Sequence, residues 1–363
     1  MSGNAMKVCV FGTRGFPGVE GGVEKHCQSI YPLMAGGDME IVVFRRKPYV
    51  KDSVGTYDNI RFIDLPSTRI KGFEAVLHSF LACVYSIAMH PDVVHIHNIG
   101  PCLWAPLLKL FRIPVVMTYH SPNYEHKKWG KGAQKLLRFC EHIALKCAGK
   151  IVFVNRFQMQ KYPADVQNRS VYIPNGVEAA EKSEDRQYLQ KYDLEPEKYI
   201  LSVGRITPEK GFHTLVEAFK QQTPEGYKLV IAGGVEFESG YMQQLQQLSE
   251  GVPVVFTGAV FGQELAQLYA NAGLFVLASE NEGFPLVLLE AMSHGRNLLV
   301  SDIPATRLID LAEQDYFPCG DVAALSRQLS EKIKQPAKRE YDLSAYEWQR
   351  VANQLADIFC AIK

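Results

Sequence analysis

No stretch of this 363-residue chain is apolar for long enough to suggest a membrane span. The longest apolar run, residues 79–89, is about 11 residues long and is closed by His78 and His90, whereas a spanning helix takes roughly 18 or more. No basic opening followed by an apolar segment suggests export. Eight cysteines (9, 27, 83, 102, 140, 147, 319 and 360) contain no C-x-x-C pair. That excludes the common zinc and dithiol spacings, and buried free thiols in a reducing cytoplasm are expected instead. Net charge is also missing, since 39 Lys+Arg balance 39 Asp+Glu. With 47% hydrophobic residues, disorder is excluded as the main state. At about 150 residues per domain the length favours two domains.

The overall balance hides an asymmetry. Residues 1–180 carry 22 Lys+Arg against 13 Asp+Glu, a net +9, and residues 181–363 carry 17 against 26, a net −9. Much of the positive excess gathers at Lys127, Lys128, Lys131, Lys135, Arg138, Lys146 and Lys150. Across residues 134–148 the apolar positions Leu136, Leu137, Phe139, Ile143, Ala144 and Leu145 recur at helical spacing, which predicts an amphipathic helix with a basic approach. A solvated face is the plain reading. The sharper one docks Lys127, Lys128, Lys131, Lys135 and Arg138 on anionic phospholipid headgroups or on a phosphate-bearing acceptor. No nucleic-acid partner is expected, because no aromatic-rich basic repeat or recognition module occurs.

Short β-rich runs alternate with helical stretches along the whole chain. Residues 7–12 (KVCVFG), 40–45, 60–65, 92–97 (DVVHIH), 114–119 (PVVMTY), 150–155 and 171–173 read as strands, with helices at 22–35, 73–89 and 134–148. The pattern then restarts. Residues 199–203, 228–232, 254–257, 274–277 and 297–301 are five more apolar runs, followed by helical segments at 214–222, 241–248, 263–270, 286–293 and 305–311. Such alternation predicts two doubly wound parallel sheets. Pro174-Asn175-Gly176 is a turn signal near the boundary, giving expected domains of 6–177 and 178–343 and a terminal amphipathic helix within 344–363. Two facing Rossmann-like domains would bring the strand C-termini to one cleft.

Three segments carry chemistry. Gly12-Thr-Arg-Gly15 with Gly21-Gly22 follows the first strand, but it is not G-x-G-x-x-G. The second strand ends in Arg45-Arg46, where a dinucleotide fold wants an acid for the ribose. NAD binding is therefore not expected, although a glycine pair before a helix still lets backbone N–H groups approach an anion. In 204–211 (GRITPEKG), Arg205 and Lys210 lie five apart on a loop after a strand. A planar fork and a compact point charge there suit a diphosphate, against the alternative of two solvated loop charges. In 279–292 (SENEGFPLVLLEAM), Pro285 fits the first helical position, and the helix N-terminus favours phosphate. Glu282 falls just before that helix. Glu290 falls inside it among Leu288, Leu289, Ala291 and Met292, where sugar hydroxyls would be natural partners for a costly buried carboxylate.

Gly-Arg-x-x-x-x-Lys-Gly at 204–211, Glu282 and Glu290 with seven residues between them, Ala291-Met292, and Ser301-Asp302 together resemble the family-4 retaining nucleotide-sugar glycosyltransferases, which have the GT-B fold. Gly12-Thr-Arg-Gly15, Gly21-Gly22-Val-Glu24, 92–97 and Thr118-Tyr-His120 resemble the bacterial rhamnosyltransferase-like subgroup. The resemblance covers nearly the whole chain. It implies that Arg205 and Lys210 bind the donor diphosphate and that Glu290 holds the ribose. Glu282 would bond hydroxyls of the transferred sugar, and Gly21 and Gly22 would bring amides near phosphate or sugar. His120 would contact the sugar near its reacting carbon, and Gly283, Phe284, Pro285 and Leu286 would complete the donor site. The terminal helix would cross back onto the first domain. Two segments, 303–307 (IPATR) and 294–297 (HGRN), depart from the family pattern.

The implied reaction is a hexosyltransferase-type transfer with retention, from a nucleoside-diphosphate sugar to a glycan or lipid-linked acceptor, in polysaccharide biosynthesis at the inner face of the membrane. Cationic side chains and a helix N-terminus would stabilise the leaving diphosphate. No Asp-x-Asp occurs, so neither metal nor other cofactor is expected, and the leaving phosphate would serve as base. The carboxylate pair of glycoside hydrolysis is not evident. His95 and His97, with His120 or His126, allow a metal reading, against which stands a set of satisfied core histidines. The cysteines lack a His and an acid at motif spacing for thiol catalysis. A sugar phosphorylase, a sugar-nucleotide epimerase and a non-catalytic sugar-nucleotide-binding protein are the rivals, and the intact set Arg205, Lys210, Glu282, Glu290 and His120 weighs against the last.

Overall fold

The structure, a computed structural model, describes residues 5–50, 54–68, 73–122, 124, 130–180, 185–235, 240–335 and 337–363. His126, Lys127 and Lys128 lie outside the described residues. The chain divides into two compact units, residues 1–176 with 346–363, and residues 177–345.

The first unit runs β1 (Met6–Phe11), α1 (Gly22–Met34), β2 (Met39–Arg46), β3 (Thr56–Tyr57), β4 (Ile60–Leu65), α2 (Phe73–Met89), β5 (Val93–His97), α3 (Ala105–Leu110), β6 (Val115–Tyr119), α4 (Lys131–Cys147), β7 (Lys150–Phe153), α5 (Arg156–Met159), α6 (Ala164–Gln167) and β8 (Ser170–Tyr172). The second runs α7 (Gln187–Gln190), β9 (Tyr199–Val203), α8 (Phe212–Gln221), β10 (Lys228–Ala232), α9 (Tyr241–Leu248), β11 (Val254–Gly258), α10 (Gly262–Asn271), β12 (Leu274–Leu277), α11 (Leu286–Ser293), β13 (Leu298–Asp302), β14 (Tyr316–Pro318) and α12 (Val322–Lys332). The last helix, α13 (Trp348–Ile362), belongs to the first unit and packs on α1.

Central strands such as β1 and β5 are buried almost throughout, which is why they read as continuous apolar runs rather than alternating ones. Sheet order is β3-β4-β2-β1-β5-β6-β7-β8 in one unit and β11-β10-β9-β12-β13-β14 in the other. All pairings are parallel except β3 with β4. The winding reverses between β1 and β5, and again between β9 and β12. In an open parallel sheet a ligand crevice forms outside the strand C-termini at that reversal. Those two places are where Gly12 and Gly204 stand.

Several elements differ from the sequence expectation. The helix expected at 305–311 is a single 3-10 turn, Thr306–Leu308. There the Thr306 hydroxyl donates to the carbonyls of Ser301 (2.7 Å) and Ile303 (2.9 Å), a local competitor of helix formation. Pro285 is the N-cap of α11 rather than its first residue, with φ −82° and ψ 85°. The basic helix begins at Lys131 rather than at 134. The short strand β14 and helix α12, capped by Asp321 accepting from the N–H of Ala324 (2.9 Å), add a sixth strand and a covering helix to the second sheet.

Candidate active site

In the second unit the segment after β9 is built by close backbone approach. The N–H of Gly204 donates to Ala232 O (3.0 Å) and that of Ile206 to Gly234 O (2.9 Å). Pro208–Lys210 makes a 3-10 turn ended by Gly211 in the left-handed region, φ +64°. A Cβ on Gly211 would lie 2.0 Å from Ala278 O, so only glycine lets this loop meet the end of β12. The N–H of Glu280 then donates to Glu209 O (2.9 Å) and ties the two loops together.

This brings two sequence motifs into one place. Lys210 Nζ donates to Glu282 Oε1 at 2.6 Å, and Ser279 Oγ donates to the same oxygen at 2.7 Å. Both partners are largely buried, Lys210 17% and Glu282 10% exposed, so the pair is shielded more than a surface ion pair. Arg205 is half-buried on the Lys210 loop. Phe284 and Pro285 are buried, Gly283 and Leu286 half-buried, and together they lead into α11. Glu290, inside that helix, accepts from the Tyr269 hydroxyl (2.9 Å) through Oε2. Burial pushes the Tyr269 phenol well above its ordinary range, so it stays a neutral donor. His294, in the segment that departs from the family pattern, stacks on Tyr269 with centroids 5.5 Å apart. Ser279 opens the 279–292 segment, where the sequence assigns it no role, and Tyr269 lies outside every motif of the sequence. Tyr269 lies on a helix 21 residues before Glu290, and no local spacing signals the contact.

The first unit presents a different chemistry. Gly12 has φ +102°, and a Cβ there would lie 2.2 Å from His97 O, so β1 and β5 end in direct contact. Gly21, at φ +141°, is the N-cap of α1, and Gly22 is its first residue. The carboxylate facing them belongs to Glu24. Its Oε1 accepts from the N–H of Arg14 (2.9 Å) and from Thr13 Oγ1 (3.2 Å), and a Cβ on Gly21 would meet Glu24 Oε2 at 2.1 Å. A helix N-terminus with its own carboxylate is stabilised electrostatically.

His120 follows β6 and is buried beside His26 and His97. His120 Nε2 is 2.9 Å from His97 Nδ1, and His97 Nε2 is 2.6 Å from the Tyr31 hydroxyl. That hydroxyl is 2.7 Å from His95 Nδ1, whose ring reaches Thr118 Oγ1 through Nε2 at 2.7 Å. His26 Nδ1 meets Asn175 Oδ1 at 2.8 Å. Burial holds His95, His97 and His120 well below the ordinary imidazole range and pushes His26 down to about 4. The four rings are therefore neutral near pH 7. Facing nitrogens of His26, His97 and His120 lie within 4.8 Å of one another. However, His97 and His120 already share a proton that a metal ion would have to displace. Tyr31 carries no motif in the sequence; the only signal is its place with Cys27, Ile30 and Met34 on the buried stripe of α1.

Comparison with known proteins agrees in both units. Residues 20–181 match the model "Glycosyltransferase Family 4", and residues 184–346 match "Glycosyl transferases group 1". A sulfoquinovosyl transferase of Arabidopsis thaliana is 28% identical over 295 residues, which is 73% of this chain and 56% of that protein. Among solved structures, the sucrose-phosphate synthase of Thermosynechococcus elongatus superposes with TM-score 0.78 at 19% identity, covering 98% of each chain. Anabaena HepE in complex with UDP and glucose gives 0.77 at 18% identity, covering 99% of this chain and 100% of its own. The two sheets are those of the GT-B fold, and with a family model matched on each unit the chain belongs to glycosyltransferase family 4.

Proposed function

We propose that the protein is a retaining glycosyltransferase that moves a hexosyl group from a nucleoside-diphosphate sugar to a glycan or lipid-linked acceptor in surface polysaccharide synthesis, within the rhamnosyltransferase-like subgroup. The observation that carries this reading is the meeting of the 204–211 and 279–290 segments at the strand reversal of the second sheet, with Lys210 and Glu282 2.6 Å apart. Arg205, Lys210 and the start of α11 supply positive potential for a departing diphosphate, and each well-placed donor of this kind contributes about 2.7–4 kcal/mol to the transition state. Glu290 holds the ribose, exchanging or sharing the Tyr269 hydroxyl. Glu282, Gly283, Phe284, Pro285 and Leu286 line the donor, and Glu282 bonds sugar hydroxyls. His120 contacts the sugar near its reacting carbon, and Gly21 and Gly22 approach it through their amides. No metal is required, because the two cations and the helix do that work, and turnover is expected to be unchanged by chelator. The leaving phosphate takes the acceptor's proton.

The enzyme is read as cytoplasmic and peripheral to the inner membrane face. Lys131, Lys135 and Arg138 are exposed on α4 next to exposed Leu136 and Phe139, an arrangement suited to anionic headgroups. A cavity of about 1210 Å³ near the start of β6 is edged by Lys109, Arg112, Arg138, Lys146 and Arg169, which adds to that charge. Sedimentation with anionic against neutral vesicles tests it; equal, negligible binding to both refutes it. The donor reading is tested by a thermal-shift screen of UDP, GDP, dTDP and ADP, since a ligand bound only by the folded state raises Tm. One base is expected to stand out, and no shift with any of them overturns the reading. A non-catalytic binder would show the shift without turnover, and an epimerase would act without any acceptor.

A further inference from the structure

The hydrogen bonds behind His120 have a direction that can be worked out by counting protons. Five groups stand in line: Thr118 Oγ1, His95, Tyr31 Oη, His97 and His120, joined by contacts of 2.7, 2.7, 2.6 and 2.9 Å. Each histidine is neutral, with one N–H and one bare nitrogen. Tyr31 has a single proton, so it donates to one of its two histidines and accepts from the other. That leaves two registers. In the first, Thr118 donates to His95 Nε2, His95 Nδ1–H to Tyr31, Tyr31 to His97 Nε2, and His97 Nδ1–H to His120 Nε2. The second reverses every bond. In both registers the three rings share one tautomer, all Nδ1–H or all Nε2–H.

The Thr118 hydroxyl decides between them. Its side chain is fully buried, and among the described residues His95 is its one hydrogen-bond partner. The reversed register would leave the threonine proton buried without an acceptor, a costly arrangement, whereas the forward register uses every proton in the line.

We propose that Thr118, His95, Tyr31 and His97 form a one-way hydrogen-bond chain that holds His120 as the Nδ1–H tautomer, a fixed neutral donor toward the bound sugar. Tyr31 and His97 are then positioning residues, and His120 cannot serve as the base for the acceptor hydroxyl because its outward nitrogen already carries a proton. The sugar-facing part rests on the function proposed above; the direction of the chain does not.

Long-range ¹H–¹⁵N correlation spectra of the full chain labelled with ¹⁵N-histidine test this, with peaks assigned through single His→Gln variants. His95, His97 and His120 are each expected to show a protonated Nδ1 and a bare Nε2, and Nε2–H at any of the three overturns the proposal. Tyr31→Phe cuts the line in the middle. It is expected to let His120 populate both tautomers and to lower kcat about tenfold while the donor KM stays within about twofold; an unchanged His120 spectrum in this variant also overturns the proposal. Thr118→Ser keeps the wild-type spectrum and Thr118→Val does not, which preserves the test if Tyr31→Phe does not fold. If His120→Ala turns over normally, the catalytic reading fails while the spectrum still judges the chain; if the spectrum is wrong and His120→Ala is inactive, the reverse holds.

Discussion

The two units place opposite chemistries at equivalent points of equivalent sheets. Where the winding reverses in the first unit, Thr118, His95, Tyr31, His97 and His120 form a neutral line joined by shared protons, with the neutral His26 ring beside it and the buried Glu24 carboxylate held on the neighbouring Arg14 loop. At the reversal in the second unit the groups are ionic, with Lys210 on Glu282 and Arg205 on the same loop. A second ionic cluster lies under that sheet, where the fully buried Asp315 takes both Lys332 and Arg339. Neutral donors suit an uncharged sugar, because they stay desolvated at little cost. Fixed cations suit a diphosphate, whose charge grows as it leaves. Under the proposed function, the neutral line behind His120 and the cationic Lys210 loop divide the two jobs of a glycosyl transfer between them.

Four experiments would break or sharpen that contrast. The largest effect is expected from Asp315→Ala, which leaves Lys332 buried without its partner. Such a loss typically costs about 3–5 kcal/mol, and calorimetry should show the destabilisation confined to the second unit; a spread over both units would contradict the division. Next, Lys210→Ala should lower turnover by about 10²–10³ with the far-UV spectrum intact, and near-normal rates would remove the clamp from the account.

Acid should act chiefly on the first unit. Burial lowers His26, His78, His95, His97 and His120 there, against His294 in the second unit, among the described residues. For His26 the folded value is about 4 against 6.5 for the free side chain. Below about pH 6.5 the unfolded chain takes a proton that the folded ring refuses, so stability falls with pH and levels off below about 4. For this residue alone the loss is about 3 kcal/mol. Melting curves from pH 7 to 4.5 should show the first unit unfolding earlier, and simultaneous loss of both units would count against the neutral-core argument. The smallest effect belongs to Glu282→Gln. Removing the carboxylate frees Lys210, so a nucleoside diphosphate should bind about tenfold tighter, roughly 1.4 kcal/mol, while transfer slows; weaker binding would mean that the ion pair does not compete with the ligand.

Much of the fold was legible because parallel strands buried on both faces leave continuous β-branched runs, as in KVCVFG and KLVIA. What escaped was short or decided by tertiary contact. Strand β14 is three residues ending in proline, too short for a periodic signal. Thr306 turned an expected helix into one turn through its own hydroxyl. The donor motifs were legible as local strings, and the structure adds that Lys210 and Glu282, 72 residues apart, touch. The Tyr31 relay was not legible, because its members come from α1, β5 and β6 and only the sheet order brings them together.

The most direct test titrates the base-matched nucleoside diphosphate, and the nucleoside alone, into wild type and into the Arg205→Ala, Lys210→Ala double variant. The account predicts that the diphosphate binds wild type far more tightly than the nucleoside does, and that the double variant loses most of this difference while still binding the nucleoside. Equal diphosphate affinity in both proteins would contradict it.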